Sequence, residues 1–118
     1  DQAPMPIGPY SQAIAVQGEL VFLSGQIPLT PDGILIENNM VNEVNQIVAN
    51  MQSILTSVGL SLDHIVKTTV FLTDLSLFDE FNQAYSIHFS HSKPARSTVE
   101  VSRLPKNVRV EIEAIAVG

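Results

Sequence analysis

The sequence contains no cysteine. That excludes a thiolate nucleophile, a disulfide and cysteine-ligated metal, and the lack of disulfides fits the cytoplasm. Cations are scarce: six Lys and Arg stand against twelve Asp and Glu, for a net charge of −6. Nucleic-acid backbones are bound by cations that displace counterions, so no nucleic-acid partner is expected. No apolar run approaches the roughly 20 residues of a membrane span, so no membrane partner is expected either. The opening Asp1-Gln2-Ala3-Pro4 lacks the basic-then-apolar order of a signal peptide. The three histidines, His64, His88 and His91, have no metal-ligand spacing, and no metal site is expected.

What is present describes a globular chain. The 118 residues, 45% of them hydrophobic, suit one domain over 1–118 with a substantial core. Met40 to Val58 carries Met40, Val41, Val44, Ile47, Val48, Met51, Ile54, Leu55 and Val58 at three- and four-residue spacing, which predicts a helix. Asn38 or Asn39 can cap its start and Gly59 can end it. Phe78, Phe81, Tyr85 and Phe89 predict a second helix, with Ser76 as its cap and Asn82 at the margin of the aromatic stripe.

Strands are read from period-two alternation and β-branched content. Ala13–Val16 and Leu20–Ser24 flank Gln17-Gly18-Glu19 as a first hairpin. Ile65–Leu72 is rich in β-branched residues and suits a central strand. Two alternating runs flank Leu104-Pro105-Lys106-Asn107, which predicts a terminal hairpin. In that hairpin Arg96, Thr98, Glu100, Arg109, Glu111 and Glu113 share a face, with Glu100 opposite Glu111. Arg96 and Glu111 would then lie four residues apart, roughly 13 Å. The predicted order is β-β-α-β-α-β-β, a two-layer α+β domain. Two helices cover one sheet face; the other is apolar enough to expect burial by further copies of the chain.

Several short motifs stand in order along the chain: Gly8-Pro9-Tyr10-Ser11-Gln12, Ser24-Gly25-Gln26-Ile27-Pro28, Lys67-Thr68-Thr69-Val70-Phe71, Pro94-Ala95-Arg96-Ser97, Arg103-Leu104-Pro105-Lys106, and Glu111-Ile112-Glu113-Ala114-Ile115-Ala116. With them the sequence resembles the Rid, or YjgF, family of reactive-intermediate imine deaminases over almost its whole length. The resemblance implies a chorismate-mutase-like fold, a homotrimer with clefts between subunits, and hydrolysis of 2-imino acids to 2-keto acids and ammonia without a cofactor. It assigns Arg96 to the substrate carboxylate and Glu111 to a water. It places Tyr10, Ser24, Gly25 and Asn82 in the cleft lining, together with Thr98, where many relatives have cysteine.

The residue chemistry agrees. Guanidinium is a planar two-pronged donor that fits a carboxylate and stays charged at any working pH. A carboxylate within one hydrogen bond of a water can take its proton. At roughly 13 Å the two groups are too far apart to serve one small substrate in an unbent hairpin, so they are expected to meet across subunits. The competing reading is a non-catalytic protein that senses small carboxylates in the same clefts.

Overall fold

The structure, a computed structural model, describes residues 2–118. Its principal elements are β1 (Leu20–Gln26), α1 (Met40–Ser57), β2 (Ile65–Leu72), α2 (Phe78–Phe89), β3 (Ala95–Glu100) and β4 (Val110–Val117). The strands form one sheet in the order β1-β4-β2-β3. β3 runs parallel to β2, while β4 runs antiparallel to both β1 and β2. Both helices lie on one sheet face, giving the expected two-layer α+β domain.

α1 forms as its sequence periodicity requires. The Asn39 side chain accepts from the Asn42 backbone N–H at 2.9 Å, and Gly59 follows the helix in a left-handed conformation at φ 78°. Its buried stripe is narrower than predicted: Met40, Val44, Ile47, Val48, Met51 and Leu55 are buried, but Val41, Ile54 and Val58 are exposed. Glu43 is buried in their place. Arg109 holds it through Nε at 3.0 Å and Nη2 at 2.9 Å, and contacts Glu80 of α2 at 3.8 Å. In α2, Phe81, Tyr85 and Phe89 are buried, with Phe81 tilted against Tyr85 and Tyr85 stacked on Phe89. Its lead-in is capped by Asp74, which accepts from the Ser76 N–H at 2.8 Å, rather than by the Ser76 side chain.

Two predicted pairings differ. Residues 13–16 form no strand, and Ile14 and Val16 remain exposed. That run is half alanine, a poor strand former, and pairing it would cover little. β3 and β4 do not form a hairpin: β2 lies between them, pairing Thr68 with Arg96 and Phe71 with Glu111. The cause is α2, a crossover long enough to return the chain parallel to β2 on its outer side. β4 then takes the slot between β1 and β2. The turn at 104–107 exists, with the Asn107 N–H donating to the Leu104 carbonyl, but the strands it joins are not neighbours.

The predicted charged face is therefore split. Arg96, Thr98 and Glu100 pair with Thr68, Val70 and Leu72, on the helix side. Glu111 and Glu113 pair with Phe71 and Thr69, on the open side. Glu100 accepts from the Leu75 N–H at 2.8 Å instead of facing Glu111. The open side also carries Leu20, Phe22, Val99 and Ile115, and Phe22 is 70% exposed.

Removing the half-exposed cation that pairs with buried Glu43 leaves an uncompensated buried charge. Arg109→Ala is expected to cost about 3 kcal/mol, read from urea unfolding at neutral pH. A change within the scatter of the midpoint would show that Glu43 is satisfied without Arg109.

Candidate functional site

Arg96 is the second residue of β3, an edge strand, and points to the helix side beneath α2. α2 presents Phe78, Phe81, Asn82 and Tyr85 toward it, residues whose spacing puts them on one helix face. The loop before β1 closes the other side. Ser11 is bridged to Ala95, its N–H donating to the Pro94 carbonyl at 3.2 Å, and this docks the preceding Gly8-Pro9-Tyr10 against Arg96. The guanidinium carbon lies 5.0 Å from the ring centroids of Tyr10 and Tyr85, 5.6 Å from Phe78 and 5.9 Å from Phe81. These are cation–π distances, and no carboxylate is paired with this cation among the described residues.

The environment has electrostatic consequences. Burial lowers the Arg96 pKa from the usual arginine range, opposed by Tyr85 and Tyr10, yet a guanidinium remains a cation at working pH. Burial also pushes the Tyr85 hydroxyl up to about 12, keeping it neutral. That hydroxyl shares a hydrogen bond with Thr68 Oγ1 at 2.7 Å. Thr68 is the register partner of Arg96, so the floor under the cation is fixed from the strand beside it.

Three buried polar atoms here lack a hydrogen-bond partner: Arg96 Nη1, Asn82 Oδ1 and Thr98 Oγ1. Buried polar groups are normally paired, so this concentration marks a place where a ligand or water completes the set. A cavity of about 200 Å³ opens beside it, lined by Ile7, Tyr10, Phe78, Arg96 and Thr98. A larger cavity of about 290 Å³ adjoins Arg109, but its cation is already held by Glu43. The smaller one is lined by the cation that has no counter-charge and is the stronger candidate.

The other predicted residues lie elsewhere. Ser24 and Gly25 form a bulge in β1: they stand between Leu23, paired with Ala114, and Gln26, paired with Ile112. A Cβ on Gly25 would overlap the Glu111 carboxylate, so glycine is what lets that carboxylate lie on the strand. Burial raises the Glu111 pKa, and Glu113 raises it further. From Arg96 to Glu111 the path runs two strands across and three residues along, about 10 Å each way, and to the opposite face. One chain thus brings Tyr10, Asn82, Arg96 and Thr98 together, and Ser24, Gly25 and Glu111 into a second group. Sequence reasoning missed Thr68, Phe78 and Tyr85 as members of the first. The signal was available, since Asn82 is four residues from Phe78 and three from Tyr85.

Comparison with known proteins identifies the setting. The family model described as Endoribonuclease L-PSP matches residues 1–118. The chain belongs to the L-PSP family, whose members carry the names RutC, Rid and YjgF. A RutC family protein of Pyrococcus abyssi is 49% identical to this L-PSP family member over 117 residues, covering 98% of this chain and 91% of that protein. RidA from an Antarctic Psychrobacter is 39% identical, with a TM-score of 0.80, covering 99% of this chain and 94% of that one. Escherichia coli TdcF, crystallised with bound serine, is 42% identical with a TM-score of 0.78 over 99% of this chain and 94% of that one.

The Thr68–Tyr85 bond gives a test of the floor beneath Arg96. Thr68→Val keeps the shape but strands a buried hydroxyl, and is expected to cost about 1–3 kcal/mol. Adding Tyr85→Phe removes the stranded group and is expected to recover most of the loss. If urea unfolding shows the double variant no better than the single, the hydrogen bond is not what fixes Tyr85.

Proposed function

We propose that this L-PSP family protein is a cytoplasmic hydrolase that converts small 2-imino acids, such as 2-iminopropanoate and 2-iminobutanoate, to 2-keto acids and ammonia. The work is done in clefts between the subunits of a homotrimer, without metal or organic cofactor. The observation that carries the reading is the unpaired Nη1 of Arg96 beside a small cavity. A half-buried cation without a counter-charge suits one carboxylate, and a cavity of about 200 Å³ suits a short chain. The serine held by TdcF, a small 2-amino acid, supports the same ligand class.

Arg96 holds the substrate carboxylate, and Tyr10 and Phe78 wall the apolar end. Glu111 of a neighbouring subunit holds a water against the imine carbon. The water oxygen bonds to C2 of the protonated imine while Glu111 takes one of its protons. The resulting carbinolamine bears OH and NH2 on one carbon. Its nitrogen is then protonated from Glu111, the C–N bond breaks as the O–H electrons form C=O, and ammonia departs. The hydroxyl proton returns to the carboxylate. Water is the only co-reactant, and a group with a raised pKa is suited to shuttle that proton.

The shared cleft is supported by the separation of Arg96 and Glu111 on opposite sheet faces, and by the apolar open face with Phe22, Val99 and Ile115. Other copies covering that face would bury it and carry each Glu111 toward another chain's Arg96.

The test supplies an imine generated in situ and follows keto-acid release. Arg96→Ala is expected to reduce kcat/KM by at least about 10²-fold with the fold intact, because positioning and charge are both lost. Wild-type activity is expected to fall as pH drops through the raised pKa of Glu111, above the ordinary 4.5, since only the carboxylate accepts a proton. Glu111→Gln is expected to be inactive at every pH. Keto acid forming no faster than without protein would leave the carboxylate-binding reading, in which Arg96 binds 2-oxobutanoate but no hydrolysis follows.

A further inference from the structure

Gly8 stands outside every role given above. It precedes Tyr10 in the loop that Ser11 docks onto β3, and its carbonyl accepts from the Tyr10 N–H at 2.8 Å. A Cβ built on Gly8 would lie 3.0 Å from Arg96 Nη2 and 3.5 Å from both amide atoms of Asn82. Its φ is not in the left-handed region, so the backbone does not demand glycine there. What favours it is space: the chain passes so close to the guanidinium that a methyl group fits only if the guanidinium gives way by a few tenths of an ångström.

We infer that Gly8 is a positioning residue for the Arg96 fork, whose missing side chain sets the angle at which the cation meets a carboxylate. The geometry leaves few alternatives for the guanidinium. Rings of Tyr10, Tyr85, Phe78 and Phe81 surround it within 6 Å, so it cannot yield freely toward α2 or the loop. Nη2 lies against Gly8, while Nη1 is the buried atom without a partner. A methyl group at position 8 therefore presses on Nη2 and shifts the guanidinium, changing the plane the fork presents to the cavity that Arg96 lines. The same added methyl group would reach the Asn82 amide, whose Oδ1 is also unpartnered, so a side chain at position 8 would touch both the guanidinium and that amide. Bidentate recognition depends on the plane of the guanidinium, and a small rotation loses one of its two hydrogen bonds.

This inference rests on the proposed role of Arg96 as carboxylate anchor, but not on hydrolysis. Its test reads binding first. Calorimetric titration with 2-oxobutanoate compares wild type, Gly8→Ala, Arg96→Ala and the double variant. Gly8→Ala is expected to weaken binding roughly ten- to a hundredfold, with Tm within about 5 °C of wild type. On the Arg96→Ala background the same change is expected to have no further effect, because the group it acts through is gone. In the imine assay Gly8→Ala is expected to raise KM more than it lowers kcat.

Gly8→Ala binding as tightly as wild type overturns the inference and leaves the role of Arg96 standing. An equal loss on both backgrounds also overturns it, since it would show a general disturbance of the loop. Wild type binding 2-oxobutanoate but hydrolysing no imine would remove the deaminase reading and leave Gly8 in its place. Wild type binding no 2-oxobutanoate would remove both.

Discussion

The molecule hinges on a cation half-removed from water without a counter-charge. Desolvating an ion costs several kcal/mol, and the usual compensation is an opposite charge. Arg109 follows that rule, gripping buried Glu43 with two nitrogens. Arg96 does not. Its neighbours are four aromatic rings, each contributing on the order of 1 kcal/mol as a cation–π contact, and these offset part of the cost. The remainder is carried by the fold, which holds Arg96 between β3, α2 and the loop at Gly8–Ser11. Structure thereby stores an unmet demand for an anion, which the proposed function assigns to a small carboxylate.

The sheet decides what else can reach that anion. Because α2 returns the chain parallel to β2, β3 becomes an edge and Arg96 faces the helix layer. Because β4 enters between β1 and β2, Glu111 faces the open side, seated on the β1 bulge at Gly25. Two chemically complementary groups are thus held apart by the sheet itself. Any account that uses both on one substrate must bring in a second chain, and the exposed apolar residues of the open face are suited to receive one. The same topology separates stability from chemistry: the Arg109–Glu43 pair ties β4 to α1, while the Arg96 cluster ties nothing to an acid.

Much of this was legible in the residues. The stripe from Met40 to Leu55 and its Asn39 cap gave α1, and β-branched content gave β2 its central place. The motifs around Arg96 and at Gly8-Pro9-Tyr10 pointed to residues that the fold does bring together beside one cavity. What could not be read was partnership. Alternation shows that the chain forms strands near β3 and β4, but it carries no information on which strand each one joins. A hairpin was the local solution, and a crossover helix twelve residues long overrode it. The faces of Arg96 and Glu111 followed that choice, so a reading that placed them together on one face failed with the hairpin. Thr68 and Tyr85 were hidden for a different reason: each is an ordinary core residue by pattern, and only the 2.7 Å bond between them shows that they support the guanidinium. Glu43 was invisible because nothing in the helix spacing distinguishes a buried acid from a surface one.

The central claim concerns where a small acid sits and which chains surround it. Crystals of the assembled protein soaked with 2-oxobutanoate test it most directly. The account predicts the ligand carboxylate on the Arg96 fork, with Glu111 of another subunit facing the ligand's C2. A carboxylate bound away from Arg96, or a nearest Glu111 belonging to the same chain, would contradict it.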